Sequence, residues 1–353
     1  MKLPTINDIA LAAGLSKCVV SHVLRNDDYA SRVRPETRRR IRDIASRLGY
    51  VPNRLASATS TGQVNTIAVI LNFSQYEKSL PFNQIMAGIM LETSRRRFSV
   101  KVFSEDDLEA SFRQIVENRI SKVIMMGIRH DRRERAAELA GQFSLDLVYA
   151  YEHGHGKFPS VNVDNVEMTS KMVRYLAERG HSRIGLLCVP HTHHYKEDRH
   201  AGYLKGMKAC RLKVDPRWIR CDCDSPGSLE KVLALPVRQR PTAFVALSDG
   251  IAARVQSCAL RGGLAFPKDI SVIGIGDTET ASLLPYPLTT MRESLPETGK
   301  LLVRLLMKEP VGIRPDKFHV YHTHSVLVER ESVHDLTLRL VKGPRHTKKN
   351  ELK

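Results

Sequence analysis

Between Lys17 and Arg25 the residue types and their spacing suit the reading of a polyanion. Val20, Val23 and Leu24 recur at helical spacing and face inward, so Lys17, Cys18, Ser21 and His22 share the opposite side. A lysine there can donate to guanine O6 or N7, and serine and histidine can donate or accept, which matches the base edges of a DNA major groove. Arg25, Arg34 and the run Arg38-Arg39-Arg40 supply cations for phosphates. Taken alone, the pattern also suits, less well, a small helical bundle with a solvated basic face.

Other reactive residues point to less. His191-Thr192-His193-His194, with Cys188 and His200 nearby, invites a zinc reading. Adjacent histidines in a loop rarely converge tetrahedrally, so a surface loop and no metal are expected. Cys221-Asp222-Cys223 lacks the two-residue gap of common thiolate sites. Gly274-Ile275-Gly276 is not followed by the third glycine of a dinucleotide fingerprint, and the chain has neither a Walker-type loop nor a Gly-x-Ser-x-Gly elbow. No catalytic constellation emerges, so no enzyme and no cofactor are expected.

The elements that must position these residues come in two kinds. Residues 1–50 read as three short helices. Thr5 and Asp8 form a capping box, Gly14 ends the first helix, Ser16 caps the second, and Pro35 opens the third. Two short helices around a tight glycine turn make a helix-turn-helix. Residues 51–65 are small and polar and read as a linker. From Thr66 apolar runs such as Ile67–Leu71 and Val123–Met126 alternate with helical stretches, as buried parallel strands do in a doubly wound sheet. The alternation restarts near Val161, which implies two lobes with a cleft at the carboxyl ends of their strands.

The 353 residues exceed one typical domain, and 42% hydrophobic against 26% charged residues is a globular balance. No apolar run reaches the roughly 18–20 residues needed to span a bilayer. The opening Met1–Asp8 lacks an apolar signal core, so a cytoplasmic location and six reduced cysteines are expected. The net charge of +17 is concentrated at the ends: residues 1–62 hold 11 basic and 5 acidic side chains, and residues 336–353 hold 6 and 1. A basic tail over 333–353 is expected to be disordered or to touch phosphates nonspecifically.

Thr5-Ile6-x-Asp8-Ile9-Ala10-x-x-Ala13-Gly14-Leu15-Ser16, Val20-Ser21-x-Val23-Leu24, Thr37-Arg38 and Leu48-Gly49-Tyr50-x-Pro52-Asn53 stand in order at the start of the chain. Val163-Asp164-Asn165, Gly180-His181-x-Arg183-Ile184, Arg199-x-x-Gly202-Tyr203, Pro241-Thr242-Ala243 and Pro267-x-Asp269-Ile270-Ser271-Val272-Ile273-Gly274 continue it, closing with Leu288-Thr289-Thr290. Together they resemble the lactose-repressor (LacI/GalR) family of bacterial transcription regulators over about residues 4–332.

The resemblance implies an all-α helix-turn-helix headgroup (1–50), a hinge helix (51–65) and a periplasmic-binding-protein-like α/β body of two doubly wound parallel sheets (66–332). The N-lobe would take about 66–160 and 292–320, and the C-lobe about 161–291 and 321–332. It further implies a homodimeric repressor on near-palindromic double-stranded operator DNA, read by Thr5, Ser16, Lys17, Cys18, Ser21, His22, Arg25 and Arg34. The hinge residues Asn53, Arg54 and Leu55 would enter the minor groove. The family's usual leucine wedge is Thr59 here, so the hinge is expected to fold with a weaker kink or with Leu55, one turn earlier, as the wedge.

A small-molecule effector is implied between the lobes, near Tyr76, Phe82, Glu152, Arg199, Ser248 and Asp277. Gly276-Asp277 stands where many members have Asp-Asp and resembles the gluconate-type repressors, so a sugar acid or other anionic metabolite is the expected ligand, with Arg199 as its fork. The competing class is a solute-binding protein of a transport system. It would share the body but needs an export signal and no headgroup.

Overall fold

The structure is a computed structural model that describes residues 4–25, 28–51, 64–73, 80–126, 130–188, 194–223, 225 and 227–340. Asn53, Arg54, Leu55, Thr59, Tyr76 and His191–His193 lie outside the described residues. The chain divides into two compact units, Met1–Val64 and Asn65–Lys353.

The first unit holds α1 (Ile6–Ala13), α2 (Lys17–Arg25) and α3 (Pro35–Arg47), with a 3-10 turn at Asp28–Arg32. The Asp8 carboxylate accepts from the Thr5 amide (2.7 Å) and hydroxyl (2.8 Å), which fastens the start of α1. Gly14 ends it at φ 61°, where a side chain would be strained. The Ser16 hydroxyl accepts from the Val19 amide (3.3 Å) and starts α2. Ile9, Ala13, Val20, Val23, Ile41 and Ile44 pack into one small core. Each fully buried aliphatic side chain there contributes about 1.5–3 kcal/mol, which is what sets the angle between α1 and α2.

The second unit carries two six-stranded sheets. The first runs β11-β5-β4-β3-β1-β2, built from β1 (Thr66–Leu71), β2 (Ser99–Ser104), β3 (Lys122–Met126), β4 (Asp146–Ala150), β5 (Ser160–Val163) and β11 (Val320–Thr323), all parallel. The second runs β12-β10-β9-β8-β6-β7, from β6 (Ile184–Leu187), β7 (Ile219–Arg220), β8 (Ala243–Ala246), β9 (Ser271–Ile275), β10 (Thr290–Glu293) and β12 (Ser325–Val328). Only β12 is antiparallel there. The helices are α4 (Leu80–Arg95), α5 (Leu108–Glu117), α6 (His130–Gln142), α7 (Asn165–Glu178), α8 (His194–Ala209), α9 (Ser228–Leu233), α10 (Asp249–Arg261), α11 (Glu279–Leu283) and α12 (Leu295–Leu306).

The chain passes between the sheets three times, after β5, β10 and β11. The lobe boundaries expected near 160, 291 and 320 each fall inside one of those strands. A strand completes its ladder before the chain leaves the sheet, so each crossing comes later than expected. The α4–α12 contact is tight because it is built on glycines. A Cβ on Gly88 would lie 2.1 Å from the Pro296 carbonyl oxygen, and one on Gly299 would lie 2.2 Å from that of Ile85.

Two expectations need correction. The cysteines are not all reduced: Cys188 and Cys221 are joined in a disulfide. The tail from 333 is not detached at its start. The His334 amide donates to the Ser271 hydroxyl (3.0 Å), the Leu336 amide donates to the Arg179 carbonyl (2.9 Å), and Val333 packs on the body's core. Residues 341–353 lie outside the described part.

Candidate functional site

In the first unit the core holds α2 by Val20 and Val23, and this leaves Lys17, Cys18 and Arg25 exposed, with Thr5, Ser16 and Arg34 exposed beside them. Ser21 and His22 are half-buried, and the His22 ring lies 4.5 Å from that of Tyr29. Tyr29, which the sequence did not single out, thus packs against His22, and the Arg32 guanidinium sits 5.9 Å from the same ring. The surface offers donors at the start of a helix, flanked by the cations of α3. That arrangement fits a groove walled by phosphates.

In the second unit a cavity of about 260 Å³ opens at the carboxyl ends of β4, β8, β9 and β10. The chain leaves β4 through Tyr151, which adopts φ 63°, unusual for a tyrosine and placed where Tyr151 can reach the opposite lobe. Phe82, Tyr151 and Tyr195 form the aromatic wall, with ring centroids 5.8 Å and 5.0 Å apart along the series and edge-to-face contacts.

Arg199 enters from α8 and is only 6% exposed. Its Nε donates to Asn165 Oδ1 (2.7 Å), Nη1 to the Leu247 carbonyl (3.0 Å) and Nη2 to Glu293 Oε1 (2.9 Å). The same Glu293 oxygen accepts from the Tyr151 hydroxyl (2.7 Å). Burial works against the guanidinium's charge, but Glu293 and the two tyrosines outweigh it and leave Arg199 above its ordinary value. Burial, then Glu293, push the Tyr151 phenol well up, so it stays a donor. The outcome is a buried ion pair with one lobe-crossing hydrogen bond.

The expected effector residues therefore separate. Phe82, Arg199 and Ser248 line the cavity, and Ser248 also caps α10 by accepting from the Ile251 amide (3.3 Å). Glu152 is not on its wall. It is completely buried, accepts from the His153 amide (2.8 Å), and is bonded to His194 Nδ1. Asp277 is not on the wall either. Its carboxylate accepts from Arg292 Nε (2.6 Å) and Arg330 Nη2 (2.6 Å), and although burial opposes the charge, the two arginines hold it below its ordinary range. Arg199 thus pairs with Glu293, while its neighbour Asp198 meets His153 (2.9 Å).

Tyr151, Tyr195, Lys196, Asn165 and Glu293 also build or brace the cavity and were not singled out from sequence. Asn165 stood inside the Val163-Asp164-Asn165 motif. Glu293 had only its place just before Ser294-Leu295-Pro296 as a signal. Among the described residues no group of three or more His, Cys, Asp or Glu is arranged to hold a metal ion, and no helix is long and apolar enough to cross a membrane.

Comparison with known proteins places these two surfaces in context. Residues 5–53 match the family described as bacterial regulatory proteins, lacI family, and residues 173–333 match the periplasmic binding protein-like domain. The chain is 29% identical to the HTH-type transcriptional repressor CytR of Escherichia coli, over 87% of this chain and 90% of that protein. It is 25% identical to the ribose operon repressor of Haemophilus influenzae, over 95% and 100%. In fold it is similar to the lac repressor dimer bound to operator and the anti-inducer ONPF (TM-score 0.75, 23% identity, 94% of this chain and 100% of that one). It is also similar to a CelR–cellobiose complex (TM-score 0.63, 22% identity, 93% and 99%).

Proposed function

Since this chain belongs to the LacI family and is a DNA-binding transcriptional repressor with an effector-binding domain, we propose that it reads a near-palindromic operator as a homodimer. Lys17, Cys18, Ser21 and His22 face the bases, and Thr5, Ser16, Arg25 and Arg34 meet the backbone. Met90 and Leu91, exposed on α4, supply apolar surface for a second copy. Working on DNA places the chain in the cytoplasm.

The effector is a small hydroxylated metabolite held between the lobes. The observation that carries this is the Arg199–Glu293 pair in a cavity whose other wall is aromatic. A sugar's polar edge can bond both members of the pair while its C–H face lies on Tyr151 and Tyr195. At about 260 Å³ the space suits a single small metabolite rather than a drug-sized ligand. A sugar acid such as gluconate is the finer reading. Arg199 and Lys196 both put a cation on the wall, and either can meet the carboxylate of such an acid.

Thermal-shift screening of D-gluconate against neutral sugars, with wild type and Lys196→Met, tests this. Gluconate stabilisation that the variant loses supports the acid. Stabilisation by neutral sugars alone refutes the acid and keeps the hydroxylated ligand.

A further inference from the structure

The register of β6 on β7 places two thiols face to face at the carboxyl end of β6. Leu186 pairs with Ile219 and Leu187 with Arg220, and the Cys188 amide continues the ladder to the Arg220 carbonyl (2.8 Å). The next opposed pair is Cys188 and Cys221, with their Cα atoms 4.3 Å apart. Side chains at paired positions of a parallel ladder leave on the same face, so the backbone alone brings the sulfurs together. Here they are bonded. Cys223 does not compete, because its thiol is buried and donates to the Arg220 carbonyl (3.0 Å).

The position of Cys188 ties this pair to the cavity. Only five residues separate it from His194, where α8 begins, and α8 carries Tyr195, Lys196 and Arg199 to the cavity. A covalent tie between β6 and β7 pins the root of that segment, whereas two free thiols need more room and leave it less constrained. A DNA-bound regulator also works among reducing thiol pools, where disulfides are rarely permanent and more often report on oxidants.

We propose that Cys188 and Cys221 are a reversible oxidation site that couples peroxide exposure to the geometry of the effector cavity. Cys188 is fully buried and Cys221 is half-buried, so the Cys221 thiolate meets the oxidant. It attacks the O–O bond of a hydroperoxide, gives a sulfenic acid, and releases the alcohol or water. The Cys188 thiol then attacks that sulfur and expels water. Two thiols and one hydroperoxide become one disulfide, one alcohol or water and one further water, with two electrons passing to the peroxide. A dithiol reverses the step by exchange. The consequence for the cavity rests on the effector reading above, but the sulfur chemistry does not.

The test uses the full chain without DNA or effector. Protein is reduced with dithiothreitol and desalted, and half is treated with stoichiometric hydrogen peroxide. Alkylation with peptide mapping then locates the thiols, and hydrogen exchange is read at the amides of residues 194–200. The expected result is a Cys188–Cys221 linked peptide only after peroxide, its loss on adding dithiothreitol to the folded protein, and exchange slowed about fivefold or more at 194–200 in the oxidised form. Cys188→Ser and Cys221→Ser remove the difference, and if either fails to fold, the wild-type comparison stands alone. A bond that resists dithiothreitol in the folded protein, thiols that peroxide leaves unlinked, or exchange equal in both forms would each overturn the proposal. Since no readout involves a ligand, failure of the effector assignment leaves this result standing.

Discussion

Cutting the pair formed by Arg199 and Glu293 should cost more than any surface substitution in the body. Arg199→Met leaves the Glu293 carboxylate buried with the Tyr151 hydroxyl as its remaining donor from the cluster, and it strips the donors from Asn165 and the Leu247 carbonyl. Breaking one side of a buried ion pair costs about 3–5 kcal/mol, because the surviving charge keeps its desolvation penalty. Glu293→Leu should cost a similar amount by stranding the guanidinium. The double variant removes both charges together, so it should recover at least about 2 kcal/mol relative to the sum of the singles. Urea unfolding of the body at pH 7, analysed as a double-mutant cycle, measures this. Single losses below about 1 kcal/mol that simply add would show that the pair is not desolvated, and the assignment of a buried ion pair to the cavity would fail.

Other parts of the molecule carry further expectations. His181 is buried, with Nε2–H donating to the His334 carbonyl (2.9 Å) and Nδ1 accepting from Thr242 (3.0 Å), and burial lowers its pKa to about 4. The unfolded chain therefore takes up this proton first, near pH 6.5, so stability is full above that pH and falls by on the order of 3 kcal/mol toward pH 4. Urea midpoints of wild type and His181→Gln across pH 4–8 should show that part of the slope vanish in the variant. Gly88→Ala should force α4 and α12 apart and cost at least about 2 kcal/mol, visible as a lowered Tm; a change under about 1 °C would contradict the close approach. Arg34→Ala should weaken binding to all duplexes alike and reduce the salt slope by about 1, whereas Lys17→Ala should cost about 1–3 kcal/mol on the preferred site and relax its sequence.

Local physics was legible in the sequence, and distant physics was not. Strands such as Lys122–Met126 and Asp146–Ala150 are buried on both faces, so their apolar runs announce them. The headgroup helices were equally plain, because Thr5, Asp8, Gly14 and Ser16 act within one turn of themselves. The start of α8 was not. Apolar spacing marks a helix only from Gly202, yet α8 begins at His194, because its first turns bury polar and aromatic residues into a cavity and carry no apolar stripe. Glu293 lies 94 residues from Arg199, and Cys221 lies 33 from Cys188 on the far end of a strand of two residues, so neither partnership leaves a local pattern. Asp277 shows the converse: its residue type fitted a ligand, but Arg292 and Arg330 claim it first.

A helix α2 that reads base edges must discriminate between sequences, whereas one that only binds a polyanion does not. Selection of bound duplexes from a random-sequence pool at physiological salt, repeated with Lys17→Ala, separates the two. One near-palindromic sequence should be enriched, and the variant should lose its half-site preference. A pool recovered without any preferred sequence, with affinity that salt abolishes equally for all members, would contradict the reading of base edges.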